Sequence, residues 1–213
     1  MRAMLKTSFL AAGFVLAAAS AQAAPIVGSV ASGDLTTLAP LTGATVVDFE
    51  TVAIGNYASL SQGSPAVTFT ASTQIEIDSD YAGNYNTRGL RHITNHGDDP
   101  FAFTFTFGAP TSAFAFLFGA SDVNWTLSAY GASGLIESLT MTPTYGSNSG
   151  NYFGIAAAGI TYATLVATSS YDYIFIDNFT YQAGSASVPA PGALALLGLG
   201  LVALGAARRR KAA

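Results

Sequence analysis

The chain has 213 residues, 50% of them hydrophobic and only 9% charged, which suits one medium domain flanked by processing segments. Its positive charge sits at the two ends: between residues 24 and 187 only Arg88 and Arg91 face all twelve acids, a formal charge of −10. That balance excludes nucleic-acid binding through phosphate neutralisation, and the absence of cysteine excludes a disulfide framework.

Residues 1–23 read as a secretory signal peptide. Arg2 and Lys6 make a basic start. Residues 9–19 are apolar but too short to span a bilayer, which takes about 20 residues. Ser20-Ala21-Gln22-Ala23 ends in the small-residue pattern of a cleavage site, placing the cut after Ala23. Signal peptidase and the secretion machinery are therefore expected partners.

Residues 24–182 alternate apolar and polar residues with period two, the signature of half-buried strands. Early candidates are residues 45–51, 67–71 and 74–77. The clearest is 101–107, with Phe101, Phe103, Phe105 and Phe107 on one face. Residues 113–118 follow after Gly108-Ala109-Pro110 and suggest the second arm of a hairpin. Residues 125–130, 135–141, 164–167 and 172–181 complete the set. Short strands parted by Gly, Ser, Asn and Pro predict an all-β, antiparallel β-sandwich of the jelly-roll kind. Val47-Asp48-Phe49-Glu50 opens this domain and Ile176-Asp177-Asn178-Phe179 closes it, as strands that lie side by side. Lectins and carbohydrate-binding modules share such scaffolds.

That neighbourhood makes Asp48, Glu50, Asp172, Asp177 and Asn178 the candidate ligands for one structural calcium ion, which takes six to eight oxygen ligands. The second candidate site is the loop 81–96. Tyr81, Tyr85, Arg88, Arg91 and His92, with Trp125 further on, combine rings that stack on sugar faces with groups that bond hydroxyls. No Ser-His-Asp order, phosphate loop or zinc spacing appears, and nothing in the spacing selects the carboxylate pair of a glycosidase. A non-enzymatic chain is the expectation.

The C-terminal part falls into a short linker, residues 183–187, and a three-part tail, residues 188–213. Val188-Pro189-Ala190-Pro191 is rigid and extended, since proline fixes φ and disfavours helix before it. Residues 192–207 are an uncharged transmembrane-helix candidate, closed by Arg208-Arg209-Arg210-Lys211. Basic clusters stay cytoplasmic, so the β domain would face outward.

This tail resembles the PEP-CTERM sorting signal of Gram-negative bacteria, a type also catalogued as an ice-binding protein C-terminal domain. Ala190 stands where the motif usually has Glu. The resemblance implies recognition by exosortase, a membrane-embedded protease-transpeptidase. The chain would be anchored in the inner membrane during sorting, then held at the cell surface or in the extracellular matrix, in contact with exopolysaccharide. A carbohydrate-binding module and a polysaccharide-active enzyme are the alternatives on the same scaffold.

Overall fold

The computed structural model describes residues 22–95, 102–169 and 172–184. The signal segment up to residue 21, the tail 188–213, and His96 at the end of the candidate loop lie outside these residues.

Among the described residues twelve strands form one antiparallel sheet. In chain order they are β1 (Ala24–Ser29), β2 (Thr45–Val47), β3 (Gly55–Tyr57), β4 (Leu60–Gln62), β5 (Val67–Ala71) and β6 (Ile75–Asp78). Then come β7 (His92–Thr94), β8 (Ala102–Gly119), β9 (Trp125–Gly131), β10 (Gly134–Met141), β11 (Asn151–Ala167) and β12 (Phe175–Ala183).

The expected hairpin across Gly108-Ala109-Pro110 is instead a single 18-residue strand, β8, bent at that tripeptide. Rings show the bend. Phe105 lies 5.5 Å from Phe116, and Phe107 lies 5.4 Å from Phe114. At about 3.3 Å per residue, a straight strand would part the first pair by roughly 36 Å. The strand therefore folds back over itself, and its halves face each other instead of hydrogen-bonding. β11 turns the same corner, with its register broken between Ala156 and Ile160 and Gly159 at φ 78°.

The bend divides the sheet into the two layers of a sandwich. One layer runs β4-β5-β8-β11-β9-β10, using the first half of β8 and the second half of β11. The other runs β1-β11-β8-β12, then β7-β6-β3, with β2 also pairing on β12. Phe179 opposes Val47, so the opening and closing acidic phrases are neighbours, as the sequence suggested. Ala183, the first residue of the expected linker, still belongs to β12, and Gly184 N–H just beyond it donates to Pro110 O (2.8 Å).

Between the layers sits a core rich in Phe. Phe179 touches Phe69 and Phe105 (5.0 Å each), Phe116 (5.7 Å) and Phe114 (5.9 Å). The second half of β8 is buried on both faces, because Ile26, Leu35 and Leu41 cover Ala113, Ala115 and Leu117 on its outer side. Two 3₁₀ turns, Leu35–Thr37 and Ala39–Leu41, supply that cover. At one end of the second layer, the end of β8 and the start of β12 meet two loops, residues 79–91 and 142–150.

Candidate functional site

Tyr81, Tyr85 and Asn86 all have positive φ, at 61°, 49° and 65°, a backbone region costly for side-chain-bearing residues. Buried polar contacts hold them there. Asn86 is 1% exposed. Its Oδ1 accepts from Gly150 N (2.8 Å) and Asn151 N (3.2 Å), and its Nδ2 donates to Phe118 O (2.8 Å). Asn148 braces the facing loop: its Nδ2 donates to Gly83 O (2.9 Å) while its Oδ1 accepts from Asn86 N (3.0 Å). A Cβ on Gly119 would fall 1.5 Å from Tyr85 O, so only glycine lets the loop rest on the end of β8.

Seated this way, Tyr81 and Tyr85 stand edge to face, with centroids 5.5 Å apart at 81°. They separate two clefts. The larger, about 430 Å³, is lined by Tyr81, Asn84, Tyr85, Gly146 and Asn148. Small-molecule sites span about 300–1,000 Å³. The smaller, about 150 Å³, is lined by Tyr81, Tyr85, Ala120, Asp122, Tyr145, Tyr173 and Phe175. Tyr81 is 56% exposed and Tyr145 72%, so their rings are offered to solvent. Burial pushes the Tyr173 phenol above its ordinary range, and Asp78, Glu76 and Asp80 add to that rise.

The other expected ligand residues face elsewhere. Trp125 is fully buried, so it cannot serve as a sugar platform; its Nε1 donates to Asp172 Oδ2 (2.6 Å). Arg88 donates through Nη1 to Thr87 O (2.7 Å) and Asn148 Oδ1 (3.2 Å), and through Nη2 to Ala31 O (3.0 Å). Arg91 Nη1 donates to the carbonyls of Glu50 (3.0 Å) and Val52. Both guanidiniums thus brace backbone.

His92 is buried, its two ring nitrogens lack partners, and its ring stands edge-on to Phe175 at 4.5 Å. Burial lowers its pKa to about 4, although the charges of Asp78 and Glu50 pull the other way. The unfolded chain, with a histidine pKa near 6.5, takes up that proton first as pH falls. Stability present above pH 6.5 is therefore lost down to about pH 4, by roughly 3 kcal/mol at most. His92→Phe should flatten the melting temperature across that window. Burial also raises the Asp177 carboxyl, which acts in the opposite direction but is common to both proteins.

The calcium candidates divide. Asp48, Glu50 and Asp177 come to one edge, but their oxygens face N–H groups. Glu50 Oε1 accepts from Leu90 N (2.7 Å) and Arg91 N (3.0 Å), and Asp48 Oδ1 accepts from Glu50 N (3.2 Å). Asp177 accepts from Arg88 N and Asn178 N at 2.6 Å each, and Asn178 Nδ2 donates to Gly33 O (2.8 Å). Asp172 is elsewhere, holding Trp125. Among the described residues no three His, Cys, Asp or Glu side chains gather to hold an ion. Calcium takes six to eight oxygen ligands; in this arrangement both oxygens of Asp177 and one each of Asp48 and Glu50 are engaged by backbone N–H groups.

Sequence reasoning missed Asn84, Asp122, Tyr145, Asn148, Tyr173 and Phe175. The one available signal was Tyr145 beside Gly146-Ser147-Asn148, residues typical of a turn.

A comparison with curated proteins finds no match. Among solved structures, the carbohydrate-binding module TmCBM61 in complex with β-1,4-galactotriose is 13% identical at TM-score 0.35, covering 64% of this chain and 94% of that one. A variant of CBM29-2, from the family 29 carbohydrate-binding modules, is 11% identical at TM-score 0.30, covering 78% and 89%. Likenesses this loose carry no residue role across. The tail is specific: residues 187–211 match the PEP-CTERM protein-sorting motif, spanning the Val188-Pro189-Ala190-Pro191 segment, the apolar run and Arg208-Arg209-Arg210. The chain therefore carries a PEP-CTERM sorting tail, the mark of an exported protein addressed to exosortase.

Proposed function

We propose that this exported protein is a non-catalytic polysaccharide-contact module, delivered by its tail to the cell surface or surrounding matrix, with the larger tyrosine cleft as its sugar site. One observation carries the reading. Two tyrosine rings and two asparagine side chains line a 430 Å³ cleft whose backbone is fixed by buried hydrogen bonds. Rings offer faces to the apolar side of a pyranose, and amides bond its hydroxyls. A rigid loop loses little entropy on binding.

The non-catalytic part rests on the acids. Glycoside hydrolysis in most families takes a pair of carboxylates flanking the bond. Among the described residues no carboxylate lines the larger cleft and one, Asp122, lines the smaller, while Glu50, Asp172 and Asp177 are turned to internal donors.

A glycan array tests the reading. The full chain is expected to bind a subset of neutral oligosaccharides, and Tyr85→Ala to weaken binding by about 1–2 kcal/mol, roughly tenfold. Asn148→Ala should weaken it too, by removing the loop brace. A flat array for the unaltered protein would refute the sugar site.

A further inference from the structure

We propose that the smaller cleft is a cage for a quaternary ammonium group, a binding site separate from the sugar cleft it adjoins. The inference stands whether or not the larger cleft takes sugar.

The lining is the first argument. Four tyrosines and a phenylalanine surround about 150 Å³, and among the described residues the one charged group in the lining is Asp122. The rings are inclined to one another. Tyr81 and Tyr85 each tilt at 41–45° to Phe175 with centroids 5.9 and 6.0 Å away, and Tyr173 stands at 85° to it at 5.1 Å. A single sugar platform needs one open ring face. Walls set at several angles instead turn several π faces toward one small volume, the arrangement that attracts an alkylated cation.

Charge is the second argument. The region between residues 24 and 187 carries −10, and its only two arginines point their guanidiniums at internal carbonyls and Asn148. Asp122 is exposed at the cleft, and Glu76, Asp78 and Asp80 act on Tyr173 from beside it. Beneath Phe175, the buried His92 ring is uncharged at neutral pH, so no cation repels the guest from below. A cation is drawn in by the field and held by the rings. An anionic or neutral guest of the same shape gains neither.

The test uses choline chloride as the probe on the full chain, followed by titration calorimetry. Its neutral isostere, 3,3-dimethylbutan-1-ol, is the comparison. Choline is expected to bind roughly tenfold tighter than the isostere, a difference that shrinks in high salt. Tyr145→Ala, at a ring that is 72% exposed and so not needed for folding, should abolish measurable binding. Asp122→Asn should weaken it severalfold while leaving any glycan bound at the larger cleft unaffected. Vesicles of phosphatidylcholine and of phosphatidylglycerol form the second arm. Recruitment to the former alone, abolished by Tyr145→Ala, identifies a lipid headgroup as the source. Free choline binding without recruitment identifies a soluble solute. Either supports the cage. Equal binding of choline and its isostere, no binding of choline, or binding unchanged in Tyr145→Ala would overturn it.

Discussion

Phe179→Ala should lower stability by about 3–5 kcal/mol, the range for truncating a large buried aromatic. At about 2–4 °C per kcal/mol for a domain of this size, the melting temperature should fall by roughly 10–15 °C. Phe179 has no solvent exposure and stands between the layers, against Phe69 and Phe105 from one and Phe114 and Phe116 from the other. Truncation leaves four rings facing a void that β8 cannot close without unbending. Phe179→Leu, which keeps most of the volume, should cost less than half as much. A thermal melt at pH 7 measures both.

Asp172→Ala should be of similar size for an electrostatic reason. Asp172 is 4% exposed. Its Oδ2 accepts from Trp125 Nε1 (2.6 Å) and Ser121 Oγ (2.8 Å), and its Oδ1 accepts from Asp122 N (2.7 Å). Alanine strands Asp122 N and the fully buried Trp125 Nε1, while Ser121 Oγ keeps Val123 O (2.6 Å) as an acceptor. Hydrogen bonds to a charged group are worth about 1.5–3 kcal/mol each, so a total loss of about 3–5 kcal/mol is expected after relaxation. Asp172→Asn retains one acceptor oxygen and should lose less. Because Asp122 follows Ser121, the alanine variant should also loosen the smaller cleft. A melt that barely moves would show Asp172 to be solvated.

Much of the sandwich was legible in the sequence because period-two alternation is a local signal. Residues 125–130 and 135–141 carried it and became β9 and β10. Others were hidden for physical reasons. Gly108-Ala109-Pro110 marks a change of direction, but local turn residues do not say whether the chain reverses within a sheet or bends between layers. The seven buried positions ending β8 reflect cover on both faces, which comes from Leu35 and Leu41, far away in sequence. β1 starts where the expected signal segment ends, and its short stretch has little alternation.

The site was half legible. Tyr81 and Tyr85 stood out as aromatics in a polar loop, and they line both clefts. Arg88 and Arg91 read as sugar ligands and Asp172 as a calcium ligand, because a polar side chain spent on internal groups reads in sequence like one offered to a ligand. Trp125 and His92 carried no mark of their burial. Tyr145 and Tyr173 join the loop only through the meeting of residues 142–150 with the start of β12, a long-range contact that no spacing records.

The most direct test of the account is a backbone amide NMR map of the domain with the best oligosaccharide from the array. The account predicts shifts concentrated at Tyr81, Asn84, Tyr85, Gly146 and Asn148, with the outer faces of both layers silent. Shifts spread over those sheet faces, with the loop unmoved, would contradict it and place the binding surface elsewhere on the sandwich.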